Sequence, residues 1–285
     1  MSRGRLLGIL AGAAVVAGIA AGAARVRLAV SAARSHCERA ALLLERGDAL
    51  AARASAEQAV ALDAGSAAAW LVLGRARIAV RDAGATAALR RAVALDPSLP
   101  EAWYALGSSW EGRREPSTEN LEALARACRL APGDPRFRRR WAEGLVAAGR
   151  FEEAEPVLEA AGDPTDLNQA LLRIHVGVSL PATPERRTRL RRWVDSAPED
   201  WRSGRGFAAA AGAVLERTGD ARGARTWLLR AVVQVPDDRE SLFRLARISR
   251  RLGDATAARA WEAKFAAADR ERRDAVIAGR RGGTP

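Results

Sequence analysis

The chain has 285 residues, with 46 Lys or Arg against 34 Asp or Glu and a formal net charge of +12. Hydrophobic residues make up 48% but aromatics only 5%, so the apolar content is largely Ala, which points to a helical protein. Two Cys exclude a disulfide scaffold and a zinc finger or ribbon, and two His with one Tyr leave little for acid–base or metal chemistry. Lys264 is the only Lys, so the basic excess is an Arg excess. Two sources fit it: a compositional bias of an Ala-, Arg- and Gly-rich chain, or service to an acidic partner.

After a basic N-terminus, 1–5, residues 6–24 read LLGILAGAAVVAGIAAGAA, nineteen positions without a charge. As a helix they span about 28 Å, close to the hydrocarbon thickness of a bilayer. The expectation is a single transmembrane signal anchor, followed by a linker helix over 25–32. A cleaved signal peptide is the alternative, with Ala21-Gly22-Ala23 as cleavage site. Length and the following Arg25 and Arg27 favour the anchor. Gly8/Gly12 and Gly18/Gly22 stand at the spacing that lets membrane helices approach closely. The expected location is the bacterial inner membrane, as a single-pass protein with the rest of the chain outside the cytoplasm.

From residue 33 the sequence repeats. The segments 56–65, 89–98, 124–133, 158–166 and 228–237 align, with a small residue at Ala59, Ala92, Ala127, Ala161 and Ala231. Proline follows at Pro97, Pro132, Pro164, Pro198 and Pro236. Upstream stand Trp70-x-x-Leu73-Gly74 and Trp103-x-x-Leu106-Gly107, with weaker copies at Trp141-Ala142, Gly212 and Leu242-x-x-Leu245-Ala246. Each unit holds two apolar-periodic runs, which read as two amphipathic helices. Gly47-Asp48, Gly149-Arg150, Gly219-Asp220 and Gly253-Asp254 separate them, and Gly ends one helix where Asp caps the next. The closing Pro cannot continue the second helix.

This pattern resembles the tetratricopeptide repeat (TPR), a helix–turn–helix of about 34 residues. The resemblance implies an all-α superhelical solenoid of about seven units over 33–272: 33–66, 67–100, 101–134, 135–164, 165–200, 201–238 and 239–272. Unit 165–200 is degenerate, with Trp193 where the small residue belongs and a Pro181/Pro184 turn. Residues 273–285 are expected to form a C-terminal cap and a disordered tail. The repeat positions that shape the array are Trp70, Gly74, Ala92, Pro97, Trp103, Gly107, Ala127, Pro132, Gly219, Ala231, Pro236 and Gly253.

No catalytic, cofactor or metal constellation is legible, so the chain reads as non-enzymatic. Ser35-His36-Cys37 are adjacent on a helix and point apart. In the TPR family, ligands lie in a groove lined by the first helix of each unit. Carried over by position, that groove takes Arg75, Tyr104, Ser108, Arg136, Arg139, Glu143, Glu240, Arg244 and Arg247. The family's carboxylate clamp needs paired Asn and Lys, and Asn120 and Asn168 do not fall on that face. The expected function is a membrane-anchored scaffold or adaptor, with a protein or peptide partner of acidic character. Nucleic-acid binding by a basic repeat array, and an exported soluble repeat protein, are the alternatives. The oligomeric state is not legible.

Overall fold

The computed structural model of the chain describes residues 3–110 and 115–281, with side chains over 20–110 and 115–277. Helices are the only regular secondary structure among the described residues. They are α1 (Arg3–Glu45), α2 (Ala49–Leu62), α3 (Ala67–Ala79), α4 (Ala85–Leu95), α5 (Pro100–Ser108), α6 (Thr118–Leu130) and α7 (Pro135–Ala147). There follow α8 (Phe151–Glu159), α9 (Leu167–Ser179), α10 (Pro184–Asp195), α11 (Glu199–Ser203), α12 (Phe207–Thr218), α13 (Ala221–Gln234), α14 (Arg239–Arg251) and α15 (Ala255–Arg281). The chain divides into two compact units, Met1–Gly144 and Leu145–Pro285. In the first, α1 pairs with α2, α3 with α4 and α5 with α6, and successive pairs stack. In the second, α9 packs on α10, α12 on α13 and α14 on α15, with α12 also against α9, α10 and α14.

The local chemistry repeats with the helices. The last N–H of a second helix, from Asp63, Asp96, Ala131 or Val235, donates to the carbonyl of Ala59, Ala92, Ala127 or Ala231. Between paired helices, Gly219 and Gly253 take left-handed φ values of +95° and +81°. Asp220 and Asp254 then accept from Gly223 N (2.8 Å) and Ala257 N (3.0 Å), capping the next helix. In the second hairpin Arg81 itself takes the left-handed turn, at φ +56°.

Close approach is set by one contact. A Cβ built on Gly74, Gly107, Gly177 or Gly212 would lie 2.5–2.7 Å from the side chain of Leu89, Leu124, Leu190 or Leu228, in that order. Each leucine comes from the second helix of the same hairpin, and each is fully buried or nearly so. Hairpin 165–200 therefore has its glycine, Gly177, which the sequence pattern did not pick out.

The expected membrane-spanning helix is corrected here. Among the described residues no helix is long and apolar enough to cross a membrane. Of the expected span 6–24, and of its glycine pairs, the side chains of residues 6–19 lie outside the described residues. The described part of α1 carries Arg25, Arg27, Arg34 and Arg39 and packs against α2, burying Ala33 and Ala40. It is built as the first helix of a hairpin, and the location as a single-pass inner-membrane protein falls with the span. Gly282 to Pro285, expected as a disordered tail, also lie outside the described residues.

Replacing Gly107 by Ala would press a methyl group against Leu124 Cγ (2.5 Å) and Asn120 O (2.9 Å). Gly107→Ala is expected to cost about 1–3 kcal/mol. Gly133, where an added Cβ meets nothing within 4 Å, serves as the control, and G133A should stay within about 0.5 kcal/mol. Thermal unfolding followed by circular dichroism checks both.

Candidate functional site

The nine groove positions divide between the two units: Arg75, Tyr104, Ser108, Arg136, Arg139 and Glu143 in the first, Glu240, Arg244 and Arg247 in the second. In the first unit Arg75 is exposed on α3. Tyr104 of α5 stacks on Phe137 of α7, with ring centroids 4.9 Å apart. Arg136 folds back onto Asp134 (2.6 Å), and Arg139 pairs with Glu143 (2.9 Å). Arg140, which position in the repeat did not select, ties the rest together. It donates to Ser108 Oγ (3.3 Å), pairs with Glu143 (3.3 Å), and lies 4.9 Å over the Trp110 ring. Asn120 is structural: it closes a capping box with Ser117 and donates to Leu106 O at 2.9 Å.

In the second unit the three candidates converge on a residue the sequence did not offer. Glu216, at the end of α12, has a side chain only 9% exposed. Arg244 and Arg247 of α14 each pair with it at 2.7 Å, and Glu240 takes the other fork of Arg244, also at 2.7 Å. Around this pair lies a concavity of about 450 Å³ whose lining includes Glu216, Arg217, Arg244, Arg247 and Arg251. Among the described residues Arg217 pairs with no carboxylate; it donates to Leu180 O, and its Nε is buried without an acceptor. Burial, reinforced by Arg186, Arg187 and Arg244, holds its guanidinium below the ordinary arginine value. Arg217 and Arg251 share one repeat position, five residues after Gly212 and Ala246. Extending the groove pattern by one helical turn would have reached both.

The repeat tryptophans serve the turns. Trp70 Nε1 donates to Ala64 O and Trp103 Nε1 to Pro97 O, both at 2.9 Å and six residues back. Arg138 makes the same six-residue reach to Pro132 O. It also stands four residues before Ala142, as Trp70 and Trp103 stand before Gly74 and Gly107. Arg138, not Trp141, therefore occupies the tryptophan position of its repeat.

Neither cysteine is primed as a nucleophile. Burial pushes the Cys128 thiol up to about 11 and raises Cys37 as well, so both are thiols near neutral pH. Among the described residues no group of His, Cys, Asp and Glu side chains is placed to hold a metal ion.

Solved structures share this architecture. The APC/C hetero-tetramer Cut9–Hcn1 matches 82% of this chain and 46% of its own chain, at a TM-score of 0.52 and 15% identity. PilF of Pseudomonas aeruginosa matches 82% of this chain and 90% of its own, at 0.44 and 16%. YrrB, described as a TPR protein with an unusual peptide-binding site, matches 79% of this chain and 97% of its own, at 0.43 and 14%. The described residues share the fold of the Cut9–Hcn1 chain, of which less than half is spanned, and their repeated helix hairpins agree with the sequence resemblance. No family model matches the chain, and no curated protein sequence matches it.

Replacing Glu216 by Gln would leave Arg244 and Arg247 facing each other without their shared carboxylate. Glu216→Gln is expected to cost about 1–3 kcal/mol, between the values for exposed and fully buried pairs. Urea unfolding in low and high salt checks it, with the smaller cost in high salt.

Proposed function

We propose that the chain is a non-catalytic protein-interaction module whose second unit receives an acidic segment of its partner between α12 and α14. One observation carries the reading. Arg217, Arg244, Arg247 and Arg251 line a single concavity whose carboxylate is Glu216. That carboxylate already serves two of the four guanidinium groups. Arg247 and Arg251 are exposed, so their forks are open to a second acceptor. The TPR-type fold supports a protein partner in general, since the Cut9–Hcn1 structure that shares it is a hetero-tetramer. Nothing in the reading requires a membrane.

The test is fluorescence anisotropy with a labelled Glu-rich peptide and, in a parallel arm, a DNA duplex of equal charge. The peptide is expected to bind, to weaken as salt rises, and to lose at least tenfold in affinity, about 1.4 kcal/mol, in an R247E/R251E double variant. Unchanged affinity in the variant, or tighter binding of the duplex, would contradict the proposal.

A further inference from the structure

In the hairpin α9–α10 two repeat positions carry side chains that touch, and the second of them departs from the other hairpins. Four residues before the close-packed small residue of the first helix stand Trp70, Trp103 and Arg138, and in this hairpin Arg173. Three residues after the facing leucine of the second helix stand Ala92, Ala127 and Ala231, and in this hairpin Trp193. The Arg173 guanidinium lies 5.8 Å over the Trp193 ring. The preceding hairpin also carries an arginine, Arg138, at the first position, so the change particular to this hairpin is the tryptophan in the alanine position. Between α10 and α12 the chain also inserts the short helix α11, which carries Trp201.

These departures border a cavity of about 1070 Å³ at the helix ends, walled by Trp193, Trp201, Phe207 and Ile174, with Arg173 and Arg192 in its lining. The cation is unusual. Arg173 is only 6% exposed, and among the described residues no carboxylate is hydrogen-bonded to it, Asp163 and Glu159 acting on it through space. Its Nη2 donates to Leu158 O and Gly162 O, and its Nε is buried without an acceptor. Burying a cation without a carboxylate is costly, and desolvation accordingly holds this guanidinium below its ordinary value. Two nearby acids are otherwise engaged. Glu159 pairs with Arg189, and Glu185 is held at the start of α10 by its own backbone N–H and Thr183. Asp163, in the exposed loop, is the remaining carboxylate of the lining.

We propose that this cavity is a binding site for a compact aromatic carboxylate, its ring among Trp193, Trp201 and Phe207 and its carboxylate directed to Arg173, with Arg192 at the rim. Size and charge argue for this occupant. The volume lies just above the roughly 300–1,000 Å³ of small-molecule sites and leaves room for a ring and its carboxylate. Trp193, Trp201 and Phe207 give the lining an aromatic part, and Arg173 is its buried cation, on which Asp163 and Glu159 act through space. The site is separate from the arginine concavity between α12 and α14 and does not depend on it.

Titration of the full chain with 1-naphthoate and with uncharged 1-naphthamide, followed by calorimetry and tryptophan fluorescence, tests the site. Naphthoate should bind at least tenfold more tightly than the amide, and Arg173→Met should abolish that preference. Because Arg173 also holds two loop carbonyls, two rim variants keep the test open if R173M fails to fold. Thr188→Trp, at an exposed lining position, should weaken both ligands at least tenfold with the melting temperature unchanged. Arg192→Met should reduce the preference severalfold. Equal affinities, absence of binding, or full affinity in T188W would overturn the proposal. Tighter binding of a short peptide ending in Phe with a free carboxylate would also overturn it, in favour of a chain-terminus site.

Discussion

In four hairpins of this chain a leucine from the second helix sits where the first helix has no side chain. The leucines are Leu89, Leu124, Leu190 and Leu228, and the vacancies opposite them are Gly74, Gly107, Gly177 and Gly212. This contact brings the two helices of each hairpin close together, which a core poor in aromatics requires. Its recurrence sets the phase of everything else. Four residues before Gly74 and Gly107 come Trp70 and Trp103, which reach back to the preceding turn. Three residues after the leucine comes the alanine whose carbonyl takes the last helical N–H. A hairpin that keeps the contact can therefore vary elsewhere, and the hairpin with Gly177 and Leu190 varies most.

How much was legible in the sequence follows from which groups carry each role. Gly74, Gly107 and Gly212 announce themselves because a missing side chain is a chemical fact of the sequence. Trp70 and Trp103 stand out by rarity. Arg138 does not: its hydrogen bond to Pro132 O makes it the counterpart of those tryptophans, yet in the sequence it is one arginine in a run of three. Gly177 was hidden for the opposite reason, because Trp193 in the alanine position made the whole hairpin look irregular. The apolar run at 6–24 reads as a membrane span when taken alone. The helix that contains it runs on without a break to Glu45 and pairs with α2, and that continuity depends on contacts a local window does not contain.

The charge of +12 also changes meaning at the level of side chains. Many arginines are paired with acids of the same chain: Arg186 and Arg189 share Glu155, Arg191 bridges Asp195 and Asp220, and Arg239 and Arg273 share Asp269. The first of these links holds the Glu155 carboxyl below its usual range. Arg244 and Arg247 share the single carboxylate of Glu216, and Arg173 donates to backbone carbonyls. Position in the repeat led to Arg244 and Arg247. It could not lead to Glu216 or Arg173, because their importance lies in which neighbours they have or lack.

The claim that close glycine–leucine contact sets the hairpins is tested most directly by a double-mutant cycle at Gly212 and Leu228, where an added Cβ would lie 2.5 Å from Leu228 Cγ. Urea unfolding of G212A, L228A and the double variant gives the coupling. If the contact governs the fold, G212A costs about 1–3 kcal/mol in the parent and about 0.5 kcal/mol or less once Leu228 has become Ala. Equal costs in both backgrounds would contradict it.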